Sequence, residues 1–113
     1  MLYSRETVWQ NPHDNPSFLR AAKSCLNWLR IHGLVNSQIK DFPKDNPTSY
    51  GLKHDVERYN QSNYPHDEHP HYIPNGAFIA AMVASGYRVK QVGRMNASFN
   101  ISRKELRAAL GGN

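Results

Sequence analysis

The chain has 113 residues, a formal net charge of +5, 39% hydrophobic residues and one cysteine, Cys25. This length suits one domain with one core, and the apolar share excludes a wholly disordered chain. A single cysteine excludes an internal disulfide, and no apolar run approaches the roughly 18 residues of a membrane span. The first ten residues lack the apolar core of a signal peptide, so we expect a cytoplasmic protein.

The charge is distributed unevenly along the chain. Residues 1–86 carry eight basic and eight acidic side chains, whereas residues 87–113 carry six basic side chains and one acidic side chain. A localised positive excess is typical of a protein that binds a polyanion. A solvated surface that only keeps the protein soluble would give the same count, so the composition leaves both interpretations open.

The N-terminal residues 1–15 are predicted to form an arm, because Asn-Pro pairs at positions 11 and 15 interrupt any regular element. Trp9 in this arm either packs against the core or belongs to an interface. Residues 16–113 are predicted to be one globular domain. Its first helix is predicted over 16–32, with Asn15 as the N-cap and apolar residues at three- and four-residue spacing.

A linker rich in proline, asparagine and aspartate follows over residues 34–48, and we expect Ile39 and Phe42 to attach it to the core. A second helix is predicted over residues 49–60, with a narrow apolar stripe. Four charged or titratable side chains of this helix are expected to be exposed or partly exposed: Lys53, His54, Glu57 and Arg58.

The segment YIPNGAFIAAMVASGYRVKQVGRMNASFNI, residues 72–101, is predicted to contain the central helix of the domain and a β-hairpin. Asn75 is placed to cap the helix, and Gly86 is placed to end it. Residues 77–85 between them contain almost no polar atom. This helix is therefore expected to be buried on nearly every side.

The hydrophobic period changes after this helix from that of a helix to that of a strand. Residues 87–92 alternate between two faces, and residues 97–101 are predicted to be the return strand after a turn. Ser102 and Glu105 have the spacing of a capping box, in which each side chain bonds the other residue's backbone amide. A short last helix is predicted over residues 103–110.

The predicted fold is a small α+β domain of three helices, a β-hairpin and a short C-terminal helix, which is the element order of a winged helix. In that fold the third helix enters the major groove of DNA. Here the third helix, residues 77–85, offers no arginine, lysine, glutamine or asparagine to read base edges. Any nucleic acid is therefore expected to contact the hairpin and the last helix, mainly through phosphates.

The candidate binding residues form one predicted exposed surface on the hairpin and the last helix. Arg88 and Lys90 share a strand face because they are two residues apart. A partner of this surface would be nucleic acid, or an acidic site in a nucleoprotein complex. The candidates are Arg88, Lys90, Arg94, Asn96, Arg103, Lys104 and Arg107.

The polar loop QSNYPHDEHP and the residue after it contain a weaker candidate, a metal site at His66, His69 and His71. Imidazole, with the carboxylates of this loop, suits first-row metals, but the spacing matches no defined site and an ordinary solvated loop is the alternative. The His-Pro-His sequence also has the form of the metal-binding strand in rolling-circle nucleases. A metal-dependent nuclease is therefore a third functional hypothesis.

Catalytic and cofactor motifs are otherwise missing from the sequence. It contains no Gly-rich phosphate loop and no Ser-His-Asp arrangement in a recognisable context. We therefore expect no cofactor, and the sequence favours a non-enzymatic binding protein over an enzyme.

The segments SYGLKHDVERY and YIPNGAFIAAMVASGY, within residues 48–101, resemble a small group of phage and plasmid accessory proteins. In that group a Ser-Tyr-x-Leu-Lys-His segment precedes a Tyr-Ile-x-Asn-Gly-x-Phe-Ile segment and a closing hairpin. The resemblance implies an origin in a bacterial mobile element. Small proteins of that origin often bind nucleic acid or inhibit a host defence complex, as CRISPR inhibitors do.

Overall fold

The computed structural model describes residues 15–111. The predicted fold class and order of elements are confirmed, with three helices followed by a hairpin and a short helix. The predicted N-terminal arm, apart from its last residue, lies outside the described residues. The elements are α1 (Pro16–Ile31), α2 (Ser49–Asn63), α3 (Asn75–Ala84), β1 (Val89–Val92), β2 (Asn96–Phe99) and α4 (Arg103–Ala109).

Helix α3 is the centre of the core, as its composition predicts. The six residues from 77 to 82 are all buried. Helices α1 and α2 and both strands pack against α3. Because α3 is apolar on nearly every side, it is stable only when neighbours cover every side. It therefore does not present a surface that could enter a DNA groove.

The ring of Phe78 connects the first helix with the hairpin. Its centroid lies 6.3 Å from the ring of Trp28 in α1 and 5.8 Å from the ring of Phe99 in β2, both nearly edge-on at 70°. Edge-to-face contacts of this kind add to the stabilisation from burial alone. Phe78 itself is 0% exposed.

The two strands form an antiparallel hairpin in which Val89 is opposite Phe99 and Lys90 is opposite Ser98. Phe99 is buried, whereas Lys90 is exposed, so the hairpin has one face on the core and one face in solvent. The predicted alternation is present in β2, whereas in β1 only Val89 is partly buried and residues 90–92 are all exposed.

Of the two asparagines predicted to cap α1 and α3, one does so and the other does not. Asn15 does cap α1, because its side-chain oxygen accepts a bond from Phe18 N at 3.1 Å. Asn75 is the first residue of α3 rather than its cap, and its side chain donates to the carbonyl of Met95 in the hairpin turn. The Asn75 side chain therefore contacts the hairpin turn instead of capping the helix.

Half of the predicted capping box of α4 is present. The Ser102 hydroxyl accepts a bond from Glu105 N at 3.2 Å. The Glu105 carboxylate does not return to Ser102 but accepts a bond from the hydroxyl of Ser37, and Ser102 N donates to Ser37 O. The linker therefore satisfies the backbone amide that the glutamate was expected to satisfy.

The linker is held through its backbone. Ile39 N donates to Asn100 O at 2.8 Å, and the Asn100 side chain donates to Ile39 O at 2.7 Å. The side chain of Ile39 is 39% exposed, so our expectation that it would attach the linker by packing is wrong. Phe42 is half-buried. Hydrogen bonds thus do most of the attachment that we assigned to apolar side chains.

No helix within residues 15–111 has both the length and the apolar composition that a membrane crossing requires.

The variant Phe78→Ala tests the central position of this ring. Truncating a fully buried phenylalanine leaves a cavity, so we expect the unfolding free energy to fall by about 3–5 kcal/mol. The matched control is Met95→Ala, which truncates an apolar side chain that is 69% exposed and should change stability by within about 0.5 kcal/mol. Urea unfolding followed by circular dichroism measures both. Equal effects of the two substitutions would contradict the assignment of Phe78 to the core.

Candidate functional site

Six basic side chains of the hairpin and α4 are exposed, and we call them the basic surface: Arg88, Lys90, Arg94, Arg103, Lys104 and Arg107. They are all of the basic residues in the last quarter of the chain. Their positions fall into three groups, which differ in how the rest of the fold holds them.

The first group lies over an aromatic ring of the linker. The guanidinium of Arg88 is 5.3 Å from the centroid of Phe42, and the ammonium of Lys90 is 5.9 Å from it. Both distances are within the range of cation–π attraction. Arg88 also donates to the carbonyl of Lys40. The two-residue spacing of Arg88 and Lys90 places these two positive charges on one face of the hairpin, and the linker places the ring of Phe42 next to both of them.

The second group surrounds the exposed side of α4. Arg103, Lys104 and Arg107, with Ala108, line a shallow depression of about 640 Å³. Arg103 pairs with Asp45 of the linker at 3.4 Å, and both side chains are well exposed. An exposed ion pair of this kind contributes little to stability. No ion pair is found for the other two side chains within residues 15–111.

Arg94 forms the third group, alone in the turn at the tip of the hairpin. Helix α4 starts beyond the opposite end of the hairpin, so the basic surface is elongated rather than a single compact patch. The linker residues 40–45 contain two lysines and two aspartates and leave the net charge of this region unchanged.

Asn96, the remaining candidate, has a structural role. Its side-chain oxygen accepts bonds from the Ser49 hydroxyl at 2.8 Å and from Tyr50 N at 3.1 Å. Thr48, the N-cap residue of α2, makes no side-chain bond. The hairpin therefore caps α2 from a distance of nearly fifty residues in sequence, and only the amide nitrogen of Asn96 is left for a partner.

Two exposed tyrosines lie near the hairpin tip, and neither is among the candidate binding residues predicted from the sequence. Tyr50 is 57% exposed and Tyr72 is 67% exposed. The ammonium of Lys53 lies 5.3 Å from the ring centroid of Tyr50 and 4.8 Å from that of Tyr72. We call these two rings the tyrosine pair. The two rings are close together because α2 contacts the segment before α3. A local sequence pattern does not predict such a contact.

A buried ion pair supports the tyrosine pair from below. Lys53 and Glu57 are 5% and 7% exposed and are joined at 3.0 Å, so our expectation that both would be exposed or partly exposed is wrong. Glu57 also accepts a bond from Ile73 N at 2.8 Å, and its second oxygen lies 2.8 Å from Nδ1 of His54. A carboxylate with this many partners can stay charged inside a protein.

The pKa of Glu57 follows from these contacts. Burial alone raises the pKa of this carboxyl, but the bonds from Ile73, Lys53 and His54 outweigh burial and hold it below the usual value. A lowered pKa means that the folded protein stabilises the ionised carboxylate more than the unfolded chain does.

The loop that contains His66, His69 and His71 packs against α1 and the end of α2. Nδ1 of His69 lies 2.9 Å from the Ser24 hydroxyl, and its ring lies 4.2 Å from that of Tyr64. Nε2 of His71 lies 2.7 Å from Tyr64 O. Within the described residues no three His, Cys, Asp or Glu side chains are grouped so that they could hold a metal ion. Within the described residues, His66, His69 and His71 are therefore not part of a group that could hold a metal ion.

Cys25 is fully buried, and burial raises the pKa of its thiol well above the usual value. A nucleophilic cysteine needs a lowered pKa and access to solvent. This residue therefore has the character of a small core side chain.

The variant Glu57→Gln tests the buried ion pair. Removing one partner of such a pair costs about 3–5 kcal/mol, so we expect a loss of that size in the unfolding free energy at about pH 7. The pKa of Glu57 is lower in the folded than in the unfolded state. Its stabilisation is therefore complete above the unfolded value of about 4.3 and is lost as the pH falls through the folded value.

Urea unfolding at about pH 7 and at about pH 3 measures this effect, and the difference between wild type and variant should shrink at the lower pH. The matched control is Asp55→Asn, which removes a neighbouring carboxylate whose partner, Arg58, is largely exposed. That change should cost at most about 1 kcal/mol. A Glu57→Gln effect that is the same at both pH values would contradict the role of the ionised carboxylate.

No protein-family model, no curated protein and no solved structure matches this chain significantly. The resemblance to phage and plasmid accessory proteins therefore stays a prediction from the sequence.

Proposed function

We propose that this protein is a non-enzymatic accessory protein that binds nucleic acid through the basic surface. The observation that carries the proposal is the position of the charge surplus. The first 86 residues are electrically balanced, and the whole net charge of +5 lies on the hairpin and α4. A field of one sign on one region attracts phosphates and raises the rate of encounter with a polyanion.

The availability of the charges also supports the proposal. Arg94, Lys104 and Arg107 are exposed, and within the described residues none of the three forms an ion pair. An arginine or lysine without an acidic neighbour can contact a phosphate without first breaking an internal pair. Glu105, the one acidic residue of α4, points its carboxylate to Ser37 of the linker.

The mode of binding follows from the burial of α3. In a winged helix the third helix enters the major groove, but here α3 is buried, so we expect phosphate contacts of the hairpin and α4 to provide most of the affinity. Phosphate contacts position a protein on nucleic acid but carry no direct sequence information. We therefore expect binding with little dependence on sequence.

A second candidate is a protein that inhibits a host nucleoprotein defence complex, the other role that the phage resemblance implies. Val92 and Met95, which are 39% and 69% exposed, lie on either side of Arg94 at the hairpin tip. Exposed apolar side chains beside an arginine are typical of protein interfaces. A stoichiometric protein partner that is recovered from nuclease-treated bacterial lysate would favour this candidate over the first.

Paired charge reversals test the proposed function. Lys104→Glu with Arg107→Glu removes two phosphate contacts from α4. The slope of log affinity against log salt for a mixed-sequence duplex should then fall by about two units, because each contact releases about one counterion. Fluorescence anisotropy titrations from about 50 to about 200 mM salt measure this slope. Arg88 and Lys90 are less suitable, because their positions over Phe42 also hold the linker.

The control is Lys23→Glu with Arg30→Glu, an equal charge change on α1. Both residues are exposed, and α1 packs against α2 and α3 but not against the hairpin or α4. This control should keep the wild-type salt slope. Equal losses in the two variants would mean that net charge, rather than the basic surface, determines binding. The absence of binding to duplex DNA, single-stranded DNA and RNA at about 50 mM salt would overturn the proposed function.

A further inference from the structure

We infer that the preferred ligand is a single strand of nucleic acid, whose bases stack on the tyrosine pair while its phosphates lie near Arg94, the member of the basic surface in the hairpin turn. This inference rests on the proposed function and adds the class of ligand. It starts from Tyr50 and Tyr72, which expose large aromatic surfaces that the fold does not use in its core.

The first step is the exposure of the two rings. Aromatic side chains provide much of the stabilisation of a core when they are buried. Here the rings are 57% and 67% exposed, although the surrounding residues Leu52 and Ile73 are almost completely buried. The chain therefore places both tyrosines at the border of the core with their rings turned outward.

The second observation is that one buried lysine contacts both rings. One ammonium group, that of Lys53, lies about 5 Å from both ring centroids. The ammonium is itself held by Glu57, which also binds the backbone of Ile73 next to Tyr72. The ammonium group that lies near both rings is therefore itself held in place by a buried ion pair.

The spacing suits a nucleotide chain. Both rings lie about 5 Å from the same nitrogen, so their centroids are within roughly 10 Å of each other. That limit corresponds to at most about three stacked steps of 3.4 Å along one strand. Neighbouring or near-neighbouring bases of one strand can therefore reach both rings.

The tyrosine pair lies beside the hairpin turn that contains Arg94. Tyr50 N donates to the side chain of Asn96, and Asn75, three residues after Tyr72, donates to Met95 O. A strand that stacks on the rings therefore passes the hairpin turn, whose exposed Arg94 forms no ion pair among the described residues. Rings for the bases next to charges for the phosphates are the combination found in proteins that bind single strands.

Duplex ligands cannot use the tyrosine pair. In a duplex the base faces are stacked on one another inside the helix and are closed to side chains at the surface. Only the phosphates of a duplex are open to the basic surface, so a duplex gains no stacking energy from Tyr50 and Tyr72. The structure thus predicts a preference that the charge distribution alone does not.

Anisotropy titrations with a labelled single strand of about 12 nucleotides and with the duplex of the same sequence test the inference. We expect Tyr50→Ala and Tyr72→Ala each to weaken single-strand binding roughly tenfold or more, because each removes one stacked base. Duplex binding should stay within about threefold of wild type, since its phosphates do not contact the rings. Tyr→Phe at either position keeps the ring and should keep single-strand affinity.

A second measurement uses the unaltered protein and does not depend on the stability of the alanine variants. A strand that carries 5-iodouracil forms photochemical cross-links to aromatic side chains that stack on it. Mass spectrometry should find the cross-links at Tyr50 or Tyr72. Cross-links confined to other residues would overturn the inference.

The outcomes separate the inference from the proposed function. Loss of all binding to both ligands for wild type at about 50 mM salt overturns both. Binding in which the duplex is preferred, or in which the alanine variants change single-strand affinity by less than about threefold, overturns the inference alone. Tyrosine substitutions that abolish the capture of a purified protein partner but leave nucleic-acid binding intact would assign the pair to a protein interface instead.

Discussion

The apolar character of helix α3 on nearly all of its sides is the constraint on which the rest of the structure depends. Its ten residues contain one polar side chain, Asn75, at the first position. A helix of this kind is stable only when it is completely covered. Helices α1 and α2 and the hairpin provide the cover, and each comes from a different part of the chain.

Complete cover brings polar groups of α2 into the interior, where each needs a partner. Asn60 donates to the Ser24 hydroxyl at 3.0 Å and to Pro70 O at 2.8 Å, and Glu57 accepts from Ile73 N. These bonds fix the segment that leads into α3. Tyr72 belongs to this segment, so the backbone on both sides of an exposed tyrosine is held by hydrogen bonds to the core.

The elements that local patterns specify could be predicted from the sequence, whereas contacts between distant residues could not. The change of period after Gly86 located α3 and the hairpin, because both depend on neighbours in sequence. Lys53 and Glu57 depart from the expectation that they are exposed or partly exposed, because lysine and glutamate are rarely buried unless they are paired. The sequence contains one signal for the burial of Lys53 and Glu57. The apolar stripe of α2 is narrow, so polar residues beside the stripe must also lie against the core.

In the candidate site, too, local patterns could be predicted from the sequence and contacts between distant residues could not. The count of charges located the basic surface, but the roles of its members follow from long-range contacts. The linker has no periodic pattern, yet it pairs with residues 100–102 and places Phe42 under Arg88 and Lys90. No local signal predicts that pairing, because its strength lies in hydrogen bonds between segments about sixty residues apart.

The attachment of the hairpin tip connects the core with binding. Asn96 joins the tip to α2, and Asn75 of α3 joins it to the helix that everything else covers. The turn that contains Arg94 and the segments that carry the tyrosine pair are therefore attached to the same core. A flexible strand that binds both must adopt the spacing of the protein, so the entropic cost of ordering falls on the ligand and not on the protein. In the proposed mode of binding, the affinity would depend on the attachment of the site to the core as well as on the charges and rings of the site.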